Sequence, residues 1–600
     1  MSAVFDEGTD GGLLLVAGGQ VVDVFTGEIY HADVLCRGPL IVDVIRQGAR
    51  PAASGAADAT TRPGVAGAPR APRAPGAPRA ARAALVDARG GYVLPGLING
   101  HLHVESSLVT PCEYAAAVLP RGTTTLVADP HEIANVLGES GVRHMLEMSL
   151  GAACDFFFAA PSCVPATPLE TAGASVGTAE IERLLAEPRV VALGEMMNYP
   201  AVIAGDPDVL AKLALARRAG KPADGHAPGL RGEGLARYAA AGITSDHEST
   251  TLAEAEEKMR LGMWIMVREG SAARNLAALA PLAARRRGER MMLVTDDRHP
   301  DDLLCAGELD HVLRLAVASG VSPVDAVRMA TLNPAIYFGL RDRGLVAPGR
   351  VADLWVAEDL ACFRARAVVK SGRLAGAGKH PRAPCVTPHA GSTVHFDQAS
   401  LGCLDVPARR GRARVIGIVP GQIVTRNLVL DVEIGADGRA RSGDGPDLAW
   451  LTVIERHGKT KGRAGLGLIA GMGLRAGAIG SSVAHDSHNL VVAGAAAADI
   501  RFAAGELARL GGGFVAVRDG KVLAALPLPV AGLMSDLPVA GVASMLGAVN
   551  AAARSLGCPL DSPFMTLSFM ALPVIPELKL TDRGLVDVGR FAHVPLWLAG

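Results

Sequence analysis

Between residues 84 and 340 the chain repeats one pattern eight times: a short apolar run, then a helical stretch. The runs end at His101, Asp129, Ala159, Glu195, His226, His247, Arg268 and Asp296, and amphipathic segments such as 140–150, 206–219 and 252–261 lie between them. Eight strand–helix units in succession predict an α/β fold, a (β/α)8 TIM-like barrel, in which reactive groups collect at the C-terminal ends of the strands. The His, Glu and Asp residues stand at those ends. The competing arrangement is a doubly wound open sheet, but no G-x-G-x-x-G follows the first run, which removes the usual support for it.

A chain of 600 residues exceeds what one hydrophobic core sustains, so further units are expected on the flanks. Residues 20–25, 33–36 and 40–45 are β-branched runs split by Gly, Thr and Pro; 344–356 and 367–374 have the same character after the barrel. The two flanks are expected to pair into one small β-sandwich domain, built from 1–94 and 344–380 around the barrel at 95–343. Within the first flank, 50–84 is almost entirely Ala, Pro, Arg and Gly and reads as a flexible surface insertion; a basic nucleic-acid-binding arm is the alternative, weakened by the absence of interleaved aromatics. Residues 381–600 suffice for a C-terminal α+β domain, with strand-like runs at 415–419, 427–434, 514–518 and 521–525.

Charge narrows the function. Lys plus Arg total 59 and Asp plus Glu 60, leaving no positive field to draw in nucleic acid or a membrane surface, so a small-molecule substrate is expected. The nine cysteines include no C-x-x-C pair, the first residues carry no basic-then-apolar leader, and apolar stretches such as 490–498 are broken before they reach the ~20 residues of a membrane span. A cytoplasmic protein is the expectation.

The chemistry starts at Pro95-Gly96-Leu97-Ile98-Asn99-Gly100-His101-Leu102-His103. Alternate residues of a strand share a side, so His101 and His103 can present two imidazoles to one metal ion. Alone, an H-x-H is weak. It gains force because Glu195, His226, His247 and Asp296 each close a later run. Four imidazoles and two carboxylates suffice for two divalent ions, with one carboxylate as a bridge and a shared water of lowered pKa.

Several longer words carry a more specific signal: Asp129-Pro130-His131-Glu132-Ile133-Ala134-Asn135, Leu193-Gly194-Glu195-Met196-Met197-Asn198, Asp224-Gly225-His226-Ala227-Pro228, Ser245-Asp246-His247-Glu248 and Thr295-Asp296-Asp297-Arg298-His299-Pro300-Asp301-Asp302. With these the chain resembles the amidohydrolase superfamily and, within it, the bacterial-type adenine deaminases, from about residue 13 to 584 with 50–84 as the foreign stretch. Where many superfamily members carry a carboxylated lysine, Glu195 stands, as is typical of that family. The resemblance implies an adenine aminohydrolase of purine salvage with two divalent ions, manganese first and iron or zinc as alternatives. It also implies a homo-oligomer, a dimer in the simplest case.

On that reading the metal ligands are His101, His103, Glu195, His226, His247 and Asp296. Activated hydroxide attacks C6 of adenine, Asp296 accepts its proton, and ammonia leaves. Asp297 is assigned a supporting place, since on a continuous strand it points away. Glu132 is a second catalytic candidate and His131 a substrate contact, although a structural ion pair explains them equally well. Ser481-Ser482-Val483-Ala484-His485-Asp486-Ser487-His488-Asn489 resembles the family's S-x-x-x-H-D-S-H-N word; His485, Asp486 and His488 are expected to contact substrate, against the alternatives of a further metal or a hydrogen-bonded turn. The rival functions are hydrolysis of a cyclic amide or N-acyl bond by the same metals, and a non-catalytic scaffold on the same barrel.

Overall fold

The computed structural model describes residues 12–47, 83–375 and 392–598, apart from 396, 444, 446, 461 and 462. The 50–84 tract, except for its last two residues, lies outside the described residues.

The eight barrel strands are β1 (Leu97–His103), β2 (Thr123–Ala128), β3 (Asp155–Ala160), β4 (Val190–Met196), β5 (Ala223–Gly225), β6 (Ser245–Asp246), β7 (Trp264–Arg268) and β8 (Met291–Val294, resuming at Asp296–Asp297). Every expected run end falls within two residues of a strand end. Ladders β1 to β5 and β6 to β8 are parallel, and Asp296–Asp297 pairs with Leu102–His103 to close the ring. Between β5 and β6, Thr244 N donates to Ala223 O at 2.9 Å. The strands β1, β2 and β4 are buried throughout, as parallel strands covered on both faces must be. Ile98, Val127, Ala159, Val191, Met266 and Met292 meet Phe338 and Leu340 in a cluster that fills the ring.

The expected helices form at Glu139–Met148, Pro207–Arg218 and Leu252–Arg260. Asp206 caps the second, its carboxylate accepting from Asp208 N and Val209 N at 3.0 and 3.1 Å, with Pro207 in the first turn and Arg217 and Arg218 in the last.

The two flanks meet in one continuous sheet. Its order is Arg373–Ala375, Ala365–Lys370, Leu354–Ala357, Tyr92–Pro95, Leu13–Val22, Ile29–Arg37, Leu40–Arg46, with Ala84–Asp87 also on Leu13–Val22. Two expected runs are shorter than their apolar content suggests. The first strand stops at Val22 because Asp23 Oδ1 accepts from Phe25 N and Thr26 N and turns the chain. Of 344–356, only Leu354 onward is strand, since Pro348-Gly349 makes a turn first.

The C-terminal domain is a nine-stranded sheet covered on both faces. Along Leu448–Ile454 the residues alternate: Trp450 and Ile454 share one buried cluster with Ile500, Ala503 and Leu507 of the helix Ala497–Leu510, while Leu451 and Val453 share the other with Leu578 and Leu580, and the helices Val539–Ser555 and Pro563–Phe569 pack on the neighbouring strands Lys521–Pro527 and Leu490–Gly494. The second side carries on into the barrel core. Thr171 ties the units together, its N and Oγ1 donating to Asp582 at 2.9 and 2.7 Å while its carbonyl accepts from Asn489 Nδ2 at 2.9 Å.

Candidate active site

Glu195 is the hub of the barrel mouth. It lies near the end of β4, 3% exposed, and its backbone N donates to Asp129 Oδ2 at 2.9 Å. Gly194 permits that contact, since a Cβ there would stand 2.2 Å from the same oxygen. Each Glu195 oxygen then faces a different pair of imidazoles. Oε1 is 3.3 Å from both His103 Nε2 and His131 Nδ1; Oε2 is 2.5 Å from His226 Nδ1 and 3.2 Å from His247 Nε2.

Asp296 supplies the other carboxylate. Its Oδ1 lies 3.3 Å from His101 Nε2 and 3.1 Å from His103 Nε2, and its Oδ2 accepts from Arg268 Nη1 at 2.8 Å. A backbone φ of +58° interrupts β8 at this residue. A non-glycine residue held in the left-handed region carries backbone strain, and such residues collect at functional sites. The break also changes the expectation for Asp297, which lines the cavity and accepts from Ser106 Oγ rather than turning away.

The donor set fits divalent metals. One group of ligand atoms is His101, His103 and Asp296 and another is Glu195, His226 and His247, with Glu195 Oε1 3.3 Å from His103 Nε2 between them. His101 Nε2 and His131 Nδ1 are buried and have no hydrogen-bond partner among the described residues, as expected of imidazole nitrogens reserved for a metal. His131, expected on the substrate, joins His103 and Glu195 as a third possible ligand group.

Four supporting residues were not picked out from the sequence. Asp224 Oδ2 sits 3.0 Å from His101 Nδ1 and 3.3 Å from His247 Nδ1, behind two ligand rings at once, where a carboxylate fixes tautomer and orientation. The signal was present, because Asp224 stands two residues before His226, which directly follows β5, and that is the spacing that singled out His101 and His103. Arg268 ends β7 and binds Glu248 with both terminal nitrogens as well as Asp296. Glu248 in turn comes within 3.6 Å of His226. Asp129 closes the second run, and its carbonyl also lies 2.9 Å from His103 Nδ1.

Above the metal ligands the C-terminal domain covers a cavity. His131, Glu132, Arg268, His485 and Asp486 line it with Ile423, Phe569, Leu572, Val574 and Ile575. Glu132, 2% exposed, bridges barrel and roof: its Oε1 meets His485 Nδ1 at 2.7 Å and its Oε2 meets His488 Nε2. The two rings differ. His488 Nδ1 accepts from Ala484 N at 3.2 Å, so its proton sits on Nε2 and is donated to Glu132. That tautomer leaves no lone pair on Nε2 for a metal, which speaks against a third ion at this cluster. Burial opposes charge on both rings and pushes His488 down to about 4; on His485 the Glu132 carboxylate outweighs it and holds the imidazolium up to about 9.

The eleven sequence-derived site residues thus converge on one region: eight line the cavity, whereas His101 and His247 stand among the candidate metal ligands outside the lining and His488 sits behind Glu132. Asp486 Oδ2 is buried with no hydrogen-bond partner among the described residues, and His485 stacks on Phe569 with centroids 4.8 Å apart.

Comparison with known proteins agrees with this geometry. Residues 92–375 match the Amidohydrolase family, and residues 422–592 match the Adenine deaminase C-terminal domain. The chain is 52% identical over 514 residues to an adenine deaminase of Nitratidesulfovibrio vulgaris, covering 85% of this chain and 89% of that protein. Adenine deaminases of Desulfatibacillum aliphaticivorans (45% identity, 97% of each chain) and Methanothrix thermoacetophila (44%, 98% of this chain and 97% of that one) align almost end to end. With a metal-ligand cluster in the barrel and a roof drawn from the matching C-terminal domain, the chain belongs to the adenine deaminase family of amidohydrolases.

Proposed function

We propose that the chain converts adenine and water into hypoxanthine and ammonia, with the barrel ligands as metal centre and the C-terminal roof as substrate enclosure. One observation carries this reading. The residues that close the cavity, His485, Asp486 and Phe569 among them, belong to the segment matched by the Adenine deaminase C-terminal domain, whereas the barrel alone would serve any amidohydrolase.

Two divalent cations, held by His101, His103, Glu195 and Asp296 on one side and Glu195, His226 and His247 on the other, would lower the pKa of a shared water toward ~7. Manganese is the proposed ion ahead of iron and zinc; imidazole with carboxylate accommodates all three. Asp296 takes up the proton released as the water oxygen bonds to C6, and Arg268 on Oδ2 keeps that carboxylate ionised beforehand. Glu132 passes a proton from the His485 imidazolium to the ring nitrogen beside C6. Asp296 then delivers the proton it took from water to N6, the C6–N6 bond breaks and ammonia departs, and the remaining hydroxyl proton returns through Glu132 to His485 as the C6 carbonyl forms. Asp486 Oδ2 accepts from a purine N–H, and the apolar wall of Ile423, Leu572, Val574 and Ile575 keeps bulk water out.

A homodimer in the cytoplasm remains the proposed state. For dissecting the chain we propose units at 1–94 with 344–380, 95–343 and 381–600.

The direct test loads the purified protein with manganese and measures ammonia release from adenine beside a panel of other purines, pyrimidines, cyclic amides and N-acyl compounds. Turnover of adenine above the rest is expected. Ring opening or N-acyl cleavage without adenine turnover would replace this reading with the general amidohydrolase one, and absence of bound metal after loading would favour a scaffold.

A further inference from the structure

We propose that Arg456 is a positioning residue for the deamination reaction, holding Glu132 in place through His488 without touching substrate; this rests on Glu132 acting in that reaction.

Arg456 follows the strand Leu448–Ile454 and is wholly buried, 0% exposed. It has no ion-pair partner among the described residues. Its three side-chain nitrogens instead grip three stretches of chain far apart in sequence. Nε donates to the His488 carbonyl, Nη1 to Thr393 Oγ1 at 3.0 Å, and Nη2 to the Ala531 carbonyl at 2.9 Å. The seat is close-fitting: Gly532, at φ +72°, lies so near that a Cβ would stand 2.5 Å from Nη1.

A buried cation without a counter-charge is costly, and an apolar side chain of similar size would serve packing better. What an apolar side chain cannot do is fix three carbonyl and hydroxyl groups in a planar fork. One of those carbonyls belongs to His488, whose N also donates to Ala484 O at 2.7 Å and whose backbone φ is +52°. The ring is then aimed by the Ala484 N contact on Nδ1, and Nε2 meets Glu132 Oε2. Arg456 itself is absent from the cavity lining. The line of contact therefore runs from Arg456 through the His488 backbone and ring to the carboxylate that faces the substrate, and releasing the carbonyl frees the turn that carries the ring. Burial also lowers the guanidinium's proton affinity, to about 9, in keeping with a group fully withdrawn from water.

The test is a double-mutant cycle on the manganese-loaded full chain, with Arg456→Met, His488→Ala and the pair, reading kcat, KM, bound metal and Tm. The expected result is a fall in kcat of tenfold or more for Arg456→Met with KM within threefold and metal content unchanged. In the His488→Ala background, Arg456→Met should add less than threefold. Arg456→Lys, which keeps the charge and part of the donor set, should recover some of the lost turnover. Losses that multiply in the double variant, or wild-type kinetics in Arg456→Met, would overturn the proposal. If Arg456→Met does not fold, Arg456→Lys and Gly532→Ala, which crowds Nη1, complete the same cycle. Full turnover by Glu132→Gln would instead sink the role given to Glu132, while loss there with multiplicative behaviour in the cycle would sink only the role of Arg456.

Discussion

At the barrel mouth Glu195, Asp224 and Asp296 each face two or more imidazoles or a guanidinium, whereas in the roof Arg456 and Lys579 are buried against carbonyl and hydroxyl oxygens. The first arrangement concentrates charge of both signs where ions and a reacting water must be held. The second uses charge for its directional hydrogen bonds, to set the backbone around a cavity that has to fit one planar substrate. Loss of a mouth residue should therefore strike metal binding, and loss of a roof residue should strike turnover with the metal in place.

The largest effect is expected at Glu195, the contact between both imidazole pairs. Glu195→Gln removes the anion and one lone-pair-bearing oxygen, so bound metal should fall and deamination should drop by more than about 10³-fold, the upper range for losing a group that stabilises developing charge. Elemental analysis and ammonia release measure both. Full metal with retained activity would remove the distinction between mouth and roof.

Asp224→Asn should follow. Asp224 stands behind His101 and His247 without entering the metal groups built around Glu195, and loss of such a partner typically costs about 10–100-fold in metal affinity or activity. Titration of the metal-free protein with manganese should display the weakening, and excess metal should restore most of the rate. A variant whose activity stays low at saturating metal would mean that Asp224 acts on the chemistry.

How much of this could be read from residues alone follows the same division. The eight strand ends were legible because parallel strands bury both faces and all but the third run, which ends at Ala159, leave a polar terminus, so His101, His103, Glu195, His226, His247 and Asp296 stood out from apolar runs. The left-handed turn at Asp296 was not legible: it depends on the tertiary closure of β8 onto β1, and it redirected Asp297 into the cavity. His485, Asp486 and His488 were found as a motif, but their division of labour rests on which ring nitrogen Ala484 N occupies, a local geometry that no spacing encodes. Arg456 and Lys579 gave no sign, because a lone basic residue in a strand-rich segment ordinarily points to solvent and their acceptors are carbonyls and one threonine hydroxyl contributed from elsewhere in the chain.

A sharper version of the comparison lies within the roof motif. His485 lines the cavity and also touches Glu132, whereas His488 touches Glu132 from outside the cavity. His485→Ala should therefore raise KM and lower kcat, and His488→Ala should lower kcat alone. In each case turnover should fall tenfold or more, about 1.4 kcal/mol of barrier, with barrel metal unchanged. Matching KM values in the two variants would show that both rings act only through Glu132.

The smallest effect is expected at Lys579, where it appears in stability as a function of pH. Lys579 is 0% exposed, and Nζ donates to the carbonyls of Ile423 and Phe569, two residues of the cavity wall, at 2.8 and 2.9 Å. Burial lowers its pKa from 10.5 to about 7. Below pH 7 both folded and unfolded chains hold the proton, so the cost of burying the cation is constant there. Between pH 7 and 10.5 the unfolded chain keeps a proton that the folded chain has released, so this group's contribution to stability grows more favourable as pH rises. Lys579→Met removes the titration and leaves two carbonyls unpaired, a penalty that does not depend on pH. The Tm of the wild type minus that of the variant should therefore be flat between pH 5.5 and 6.5 and increase by roughly 2–4 °C or more between pH 7 and 9, the scale on which about 1 kcal/mol moves a domain of this kind. Calorimetry of both proteins across that range measures it. A difference that stays level, or one that narrows with pH, would show that Lys579 keeps its proton in the folded chain and that the roof tolerates a permanent buried cation there.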